Sequence, residues 1–113
     1  MQFAAFRYAL TGIIYCIRRE RNMRIHLVAA ITALCLAWLY DLSGIELGIL
    51  LLTISGVITA EIFNTALEIL VNKVSPEFHP LAKAAKDAAA GAVLIQAVAA
   101  LVIGYILFGN KML

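Results

Sequence analysis

Charge is scarce in this sequence. Only 14% of its 113 residues are charged, while 64% are hydrophobic. A soluble domain has about 25% charged residues and is about half apolar. That composition, with a mean hydropathy of +0.95, excludes an ordinary soluble domain and points to a bilayer as solvent. One compact membrane domain over residues 1–113 is the expected organisation. Cysteine is scarce as well. Cys16 and Cys35 read as apolar packing thiols, and no disulfide between them is expected. The N-terminal stretch has no uninterrupted apolar run and is studded with arginine, so no cleavable signal peptide is expected. There is no GxxxxGK[ST] and no glycine-rich phosphate loop, so any nucleotide is bound without those parts. His26 and His79 have no metal-ligand spacing and read as structural or interfacial.

The few basic residues are unevenly placed. Five of the nine (Arg7, Arg18, Arg19, Arg21 and Arg24) precede the first apolar span, and Lys73, Lys83 and Lys86 lie between the second and third. The connection between the first and second spans, around Asp41 to Glu46, has none. Positive charge favours the cytoplasmic side of a membrane. The expected orientation therefore puts the N-terminus and second connection in the cytoplasm, and the C-terminus with Lys111 outside.

Residues from about 2 to 22 carry Phe3, Phe6, Leu10, Ile13, Ile14 and Ile17 at the spacing of an amphipathic helix. Arg7, Thr11, Arg18 and Arg21 lie off that stripe. Such a helix is expected to lie in the membrane interface, with packing on the other helices as a compatible alternative. The first span runs from about Ile25 to Tyr40, is short enough to begin a turn earlier, and leads through a connection to residue 44. Trp38 and Tyr40 close it at the outer headgroup level. The second helix runs from about 45 to 74, about 45 Å long against a hydrocarbon core of about 30 Å. Its last third should project into the cytoplasm. Ser75-Pro76-Glu77 and His79-Pro80 break the pattern, and a third membrane helix follows over about 81–109. Its start is rich in small residues (Ala84, Ala85, Ala88 to Ala90, Gly91, Ala92), which let membrane helices approach closely. The expected fold is all-α: an N-terminal amphipathic surface helix plus three transmembrane helices.

Inside the second helix sits a polar cluster. At about 100° per residue, Glu61, Asn64, Thr65, Glu68 and Asn72 share an arc of roughly 100°. Ionisable groups at membrane depth are costly and mark working sites. Glu61 lies about 24 Å along the helix, near the inner edge of the core, with Glu68 at headgroup level. A carboxylate at Glu61 can reach the hydroxyl of a lipid alcohol. Glu68 can reach water-soluble ligands or Mg²⁺, which is held by one or two carboxylates plus substrate phosphates. Lys86 can screen phosphate charge, and Asp87 follows it. Glu20, with Asn22 and Arg24, lies at the same leaflet and is a second candidate metal ligand. Together these residues read as a phosphoryl-transfer site at a membrane surface.

The segments Glu61-Ile-Phe-Asn-Thr-Ala-Leu-Glu68, His79-Pro-Leu-Ala-Lys-Ala-Ala-Lys-Asp87, Ala88-Ala-Ala-Gly-Ala-Val93 and Glu20-Arg-Asn-Met-Arg-Ile-His26 resemble the prokaryotic diacylglycerol kinase family over nearly the whole chain. The resemblance implies a small integral lipid kinase of the bacterial inner (plasma) membrane, assembled as a homotrimer with active sites shared between subunits at the cytoplasmic face. It implies transfer of the γ-phosphoryl group of MgATP to a lipid hydroxyl, with no nucleic-acid partner. By motif, Glu61 resembles the general base, and Glu20 and Glu68 resemble the metal-binding carboxylates. Asn64, Lys86 and Asp87 resemble the polar residues that complete the site. Asn72 stands where the family usually has aspartate, which puts its nucleotide or metal contact in doubt. The Glu20–His26 and His79–Asp87 segments look more like the undecaprenol kinase branch than the diacylglycerol kinase branch. Neither spacing nor charge separates the two substrates.

Two readings outside this class fit less of the sequence. A small ion-coupled transporter subunit would use Glu61 and ignore Lys86 and Asp87, and a carboxylate nearer the midplane would suit it better. A non-catalytic membrane adaptor would have no use for the polar arc.

Overall fold

A computed structural model describes residues 2–112. Four helices follow one another: α1 (Gln2–Arg19), α2 (Arg21–Leu39), α3 (Gly44–Val74) and α4 (Pro80–Met112). The last three are long and apolar enough to cross a membrane. The surface helix expected over 2–22 is shorter. It ends at Arg19, and Glu20 adopts an extended conformation (φ −104°, ψ 119°) that starts α2 at once. Arg21 therefore belongs to α2, which begins a turn before the expected residue 25. No glycine or proline marks this corner. Arg24 makes it instead: its guanidinium donates to the carbonyls of Ile17 (2.8 Å) and Arg18 (2.9 Å). These are carbonyls that a helix end leaves without partners. The corner buries Cys16 and Met23. The apolar stripe of α1 stays outside, with Phe3 91% exposed, as an interfacial helix requires.

At the opposite end, α2 closes with a left-handed turn. Asp41 has φ 53°, the Leu42 amide donates to Ala37 (3.1 Å), and the Asp41 amide donates to Trp38 (3.3 Å). This is the 6→1 and 5→2 pairing of a Schellman end, with aspartate where glycine is usual. Ser43 then caps α3. Its hydroxyl accepts from the Glu46 amide (3.2 Å), and Glu46 accepts from the Ser43 amide (3.0 Å). Lys111 near the end of α4 reaches the other Glu46 oxygen at 3.2 Å. Ser43→Ala should therefore lower stability by about 1 kcal/mol, read as a lower midpoint of unfolding in detergent. Beside this end lies the apolar core of Ala37, Leu50, Leu107 and Phe108.

Helix α4 starts with proline in its first position, where the missing N–H costs nothing. The His79 ring nitrogen Nδ1 accepts from the Leu81 amide at 3.1 Å. Helices α3 and α4 then pack along their length. A Cβ on Gly56 would stand 2.8 Å from Oε1 of Gln96, so this glycine lets the Gln96 amide lie against the α3 backbone. The small residues singled out at the start of α4 are not buried within the chain: Ala84, Ala88, Ala90 and Ala92 are exposed. Cys35 is exposed too, while Cys16 is buried, and both are free thiols. Trp38, at 85%, is among many large apolar side chains of α2 to α4 that point outward.

Candidate functional site

Helix α3 carries one continuous inward stripe: Leu50, Ile54, Val57, Glu61, Thr65. Successive helical steps keep these five within an arc of about 80°. Its apolar part forms the floor of a groove of about 660 Å³ between α2 and α4. Small side chains make the walls (Ala29, Ala30 and Ala33 of α2; Ala97, Ala100 and Gly104 of α4), and His26 stands at the inner end. Glu61 is the next buried residue along the stripe, only 3% exposed, and Thr65 is 1% exposed.

These polar residues are not neutralised by their own helix. Thr32, Thr53 and Ser55 donate to carbonyls three or four residues back, at 2.8–3.0 Å. Thr65 does not. Its Oγ1, Oε1 of Glu61 and Oδ1 of Asn64 are buried without hydrogen-bond partners. Buried polar atoms are normally paired, and each exception needs a cause. Three such atoms within little more than one helical turn mark a place built for a ligand. Nε2 of His26 comes within 3.1 Å of the Glu61 oxygen, off the straight line that a hydrogen bond prefers.

One turn further along α3, Asn64 donates through Nδ2 to Oε1 of Glu68 at 3.3 Å. Glu68 is half-buried. The α1–α2 corner comes up beside it. Arg19 donates to the Tyr15 hydroxyl (3.3 Å) and pairs with Glu20 (3.3 Å). Its guanidinium is held charged above its ordinary value, first by the Tyr15 hydroxyl, against some desolvation, and then by the charges of Glu20 and Glu68. Both carboxylates therefore act on one cation at the helix corner.

The structure thus pairs Asn64 with Glu68 on the helix that carries Glu61, and pairs Glu20 with Arg19 at the helix corner. Asn72, further along the same helix, is exposed. The Gly56–Gln96 contact fixes an antiparallel register in which Lys86 and Asp87 come level with Thr65 and its neighbour. No hydrogen bond or ion pair joins either residue to Glu61 among the described residues. Asp87 pairs with Lys83 at 2.6 Å on the exposed surface. Lys86 is half-buried and enters no ion pair among the described residues. His26, read as structural or interfacial from sequence, makes a contact with Glu61 that the sequence did not foretell. A helical wheel of α2 puts it on the face of Met23, Ala30 and Ala37, all buried.

A divalent cation fits this donor set. No group of three or more His, Cys, Asp or Glu side chains converges among the described residues. The protein offers two carboxylates, Glu20 and Glu68, and the free Oδ1 of Asn64. That is the sparse protein share typical of Mg²⁺ sites completed by phosphates and water.

The chain is similar to known proteins over most of its length. The sequence profile of prokaryotic diacylglycerol kinase matches residues 7–108. The chain is 44% identical over 110 residues to undecaprenol kinase of Bacillus subtilis (strain 168), covering 97% of this chain and 89% of that protein. It is 44% identical over 101 residues to a diacylglycerol kinase of Synechocystis, covering 88% of this chain and 58% of that longer protein. It is 31% identical over 95 residues to diacylglycerol kinase of Escherichia coli (strain K12), covering 84% of this chain and 78% of that protein.

Proposed function

The chain belongs to the prokaryotic diacylglycerol kinase family, and from that premise we propose that this membrane lipid kinase phosphorylates undecaprenol with MgATP. The observation that carries the reading is Glu61, an almost fully buried carboxylate one turn beyond Val57 and 3.1 Å from His26, two residues that line an apolar groove. A lipid tail in the groove would bring its terminal hydroxyl to that carboxylate. Glu61 takes the hydroxyl proton as the oxygen attacks the γ-phosphorus, and ADP leaves with the bridging oxygen. The acceptor is thereby made nucleophilic where water has little access.

Glu20 and Glu68 would hold Mg²⁺, whose charge offsets that of the nucleotide phosphates. Asn64 orients Glu68. Lys86, half-buried and at the same depth, would face the phosphates, and Asp87 and Asn72 would complete the polar rim. No hydrogen bond or ion pair joins Lys86 or Asp87 to Glu61 among the described residues, which favours a site shared between copies. The exposed small residues of α4 supply a surface on which such copies can pack closely, and a homotrimer is the assembly proposed. The basic residues of α1, the α1–α2 corner and the α3–α4 connection support a reading with this end of the molecule at the cytoplasmic face of the plasma membrane and Lys111 outside.

Undecaprenol is favoured by the 44% identity that spans nearly all of both chains. Diacylglycerol is the second reading, supported by the Synechocystis and Escherichia coli relatives. A mixed-micelle assay with both lipids in competition decides between them. The kcat/KM ratio is the measure of choice, expected to favour undecaprenol by at least about tenfold. A ratio favouring diacylglycerol overturns the substrate assignment, and no phosphorylation of either overturns the kinase reading of this site.

A further inference from the structure

We propose that His26 is the positioning residue of this kinase, holding one oxygen of Glu61 so that the other faces the lipid hydroxyl. The inference rests on Glu61 being the base. Its geometry stands apart from that reading. Nε2 of His26 lies 3.1 Å from Oε1 of Glu61, and the histidine side chain is 23% exposed against 3% for the carboxylate. Oε1 has no other partner. A small turn of the ring brings an Nε2–H into line, the kind of tightening that catalytic contacts undergo when substrate binds.

Two costs are met by this contact. An ionised carboxylate without a donor is costly in an apolar span. A donor from α2 stabilises it as the anion a base must be. The second cost is conformational. A glutamate at the end of an open groove has several rotamers, and only those that direct an oxygen along the groove can meet the substrate. His26 lines the groove and lies 3.1 Å from Glu61, so it ties the carboxylate to the groove. Small misplacements of a reacting group cost rate steeply.

The ring is singular in one practical respect: the chain has two histidines, and His79 is engaged elsewhere with the Leu81 amide. ¹⁵N labelling of histidine therefore gives two resolvable side chains, one of them an internal control. In the full-length protein in micelles, Glu61→Gln is expected to shift the His26 ring resonances and leave those of His79 in place. A motionless His26 signal overturns the contact, whatever the activity.

Kinetics then test the role. His26→Leu keeps the bulk and removes the donor. It should lower kcat for lipid phosphorylation roughly 10- to 100-fold with KM for ATP unchanged. His26→Gln, whose amide nitrogen can occupy the place of Nε2, should recover most of that loss. In a Glu61→Gln background, His26→Leu should change nothing further, because it acts through Glu61. Equal damage from His26→Leu and His26→Gln, or an undiminished kcat in His26→Leu, overturns the positioning role. Failure of the kinase reading looks different: the parent protein phosphorylates no lipid alcohol while the His26 resonance still responds to Glu61→Gln, and the positioning role falls with the base.

Discussion

Glu61→Gln should lower kcat for lipid phosphorylation by about 10³-fold, within the range that a positioned base contributes. The variant keeps the shape, the burial and the contact surface of the residue. It removes the basic oxygen and the charge. Loss of fold is not expected to accompany the loss of rate. A neutral amide in a site only 3% exposed is easier to bury than a carboxylate, so the midpoint of unfolding should stay or rise. The measurement is turnover in mixed micelles, paired with unfolding and size analysis of the same preparation. Turnover within a few-fold of the parent, in protein of unchanged size and stability, would remove Glu61 from the reaction and leave the groove without its chemistry.

Much of this site was legible because one helix carries it. Glu61, Asn64, Thr65 and Glu68 repeat at three and four residues, and that period needs no knowledge of neighbours. The same period put Asn72 on the arc, where its side chain is exposed. An angle on a wheel says which side a residue takes, not whether anything lies beside it. His26 was missed for the complementary reason: its partner is on another helix, and a single histidine has no spacing to read. The face of α2 it shares with Met23, Ala30 and Ala37 was the available signal.

The fold divides the same way. The three apolar helices were plain from composition and length, and the ends marked by Ser43 and Pro80 follow from local rules of capping. The break at Glu20 was hidden. It depends on Arg24 reaching back to two carbonyls of the preceding helix, a side-chain bond that leaves no turn residue in the sequence. The consequence is functional. One uninterrupted helix over residues 2–22 would carry Glu20 away from α3, whereas the corner sets it beside Arg19 and within the electrostatic reach of that arginine shared with Glu68.

That shared reach leads to the second large effect. Glu68→Gln should cut kcat/KM for MgATP by about 100-fold, with the Mg²⁺ concentration for half-maximal rate rising about tenfold. The size follows from removing one charge-assisted contact, about 1.5–3 kcal/mol, where each 1.4 kcal/mol is a factor of ten. The amide preserves the volume and can still pair with Asn64, so helix packing is not the variable. Glu20→Gln should behave alike but more weakly, because Glu20 is already engaged by Arg19 at 3.3 Å. If both carboxylates serve one cation, the double variant should lose less than the product of the two single losses, since residues sharing a partner are not additive. Rates measured across a Mg²⁺ titration at fixed ATP distinguish this from a packing defect, which lowers the plateau without moving the midpoint. An unmoved midpoint in Glu68→Gln would take the metal away from this pair. Glu68 would then be a helix-surface carboxylate that orders Asn64, and the cation would have to be held by the nucleotide phosphates without it.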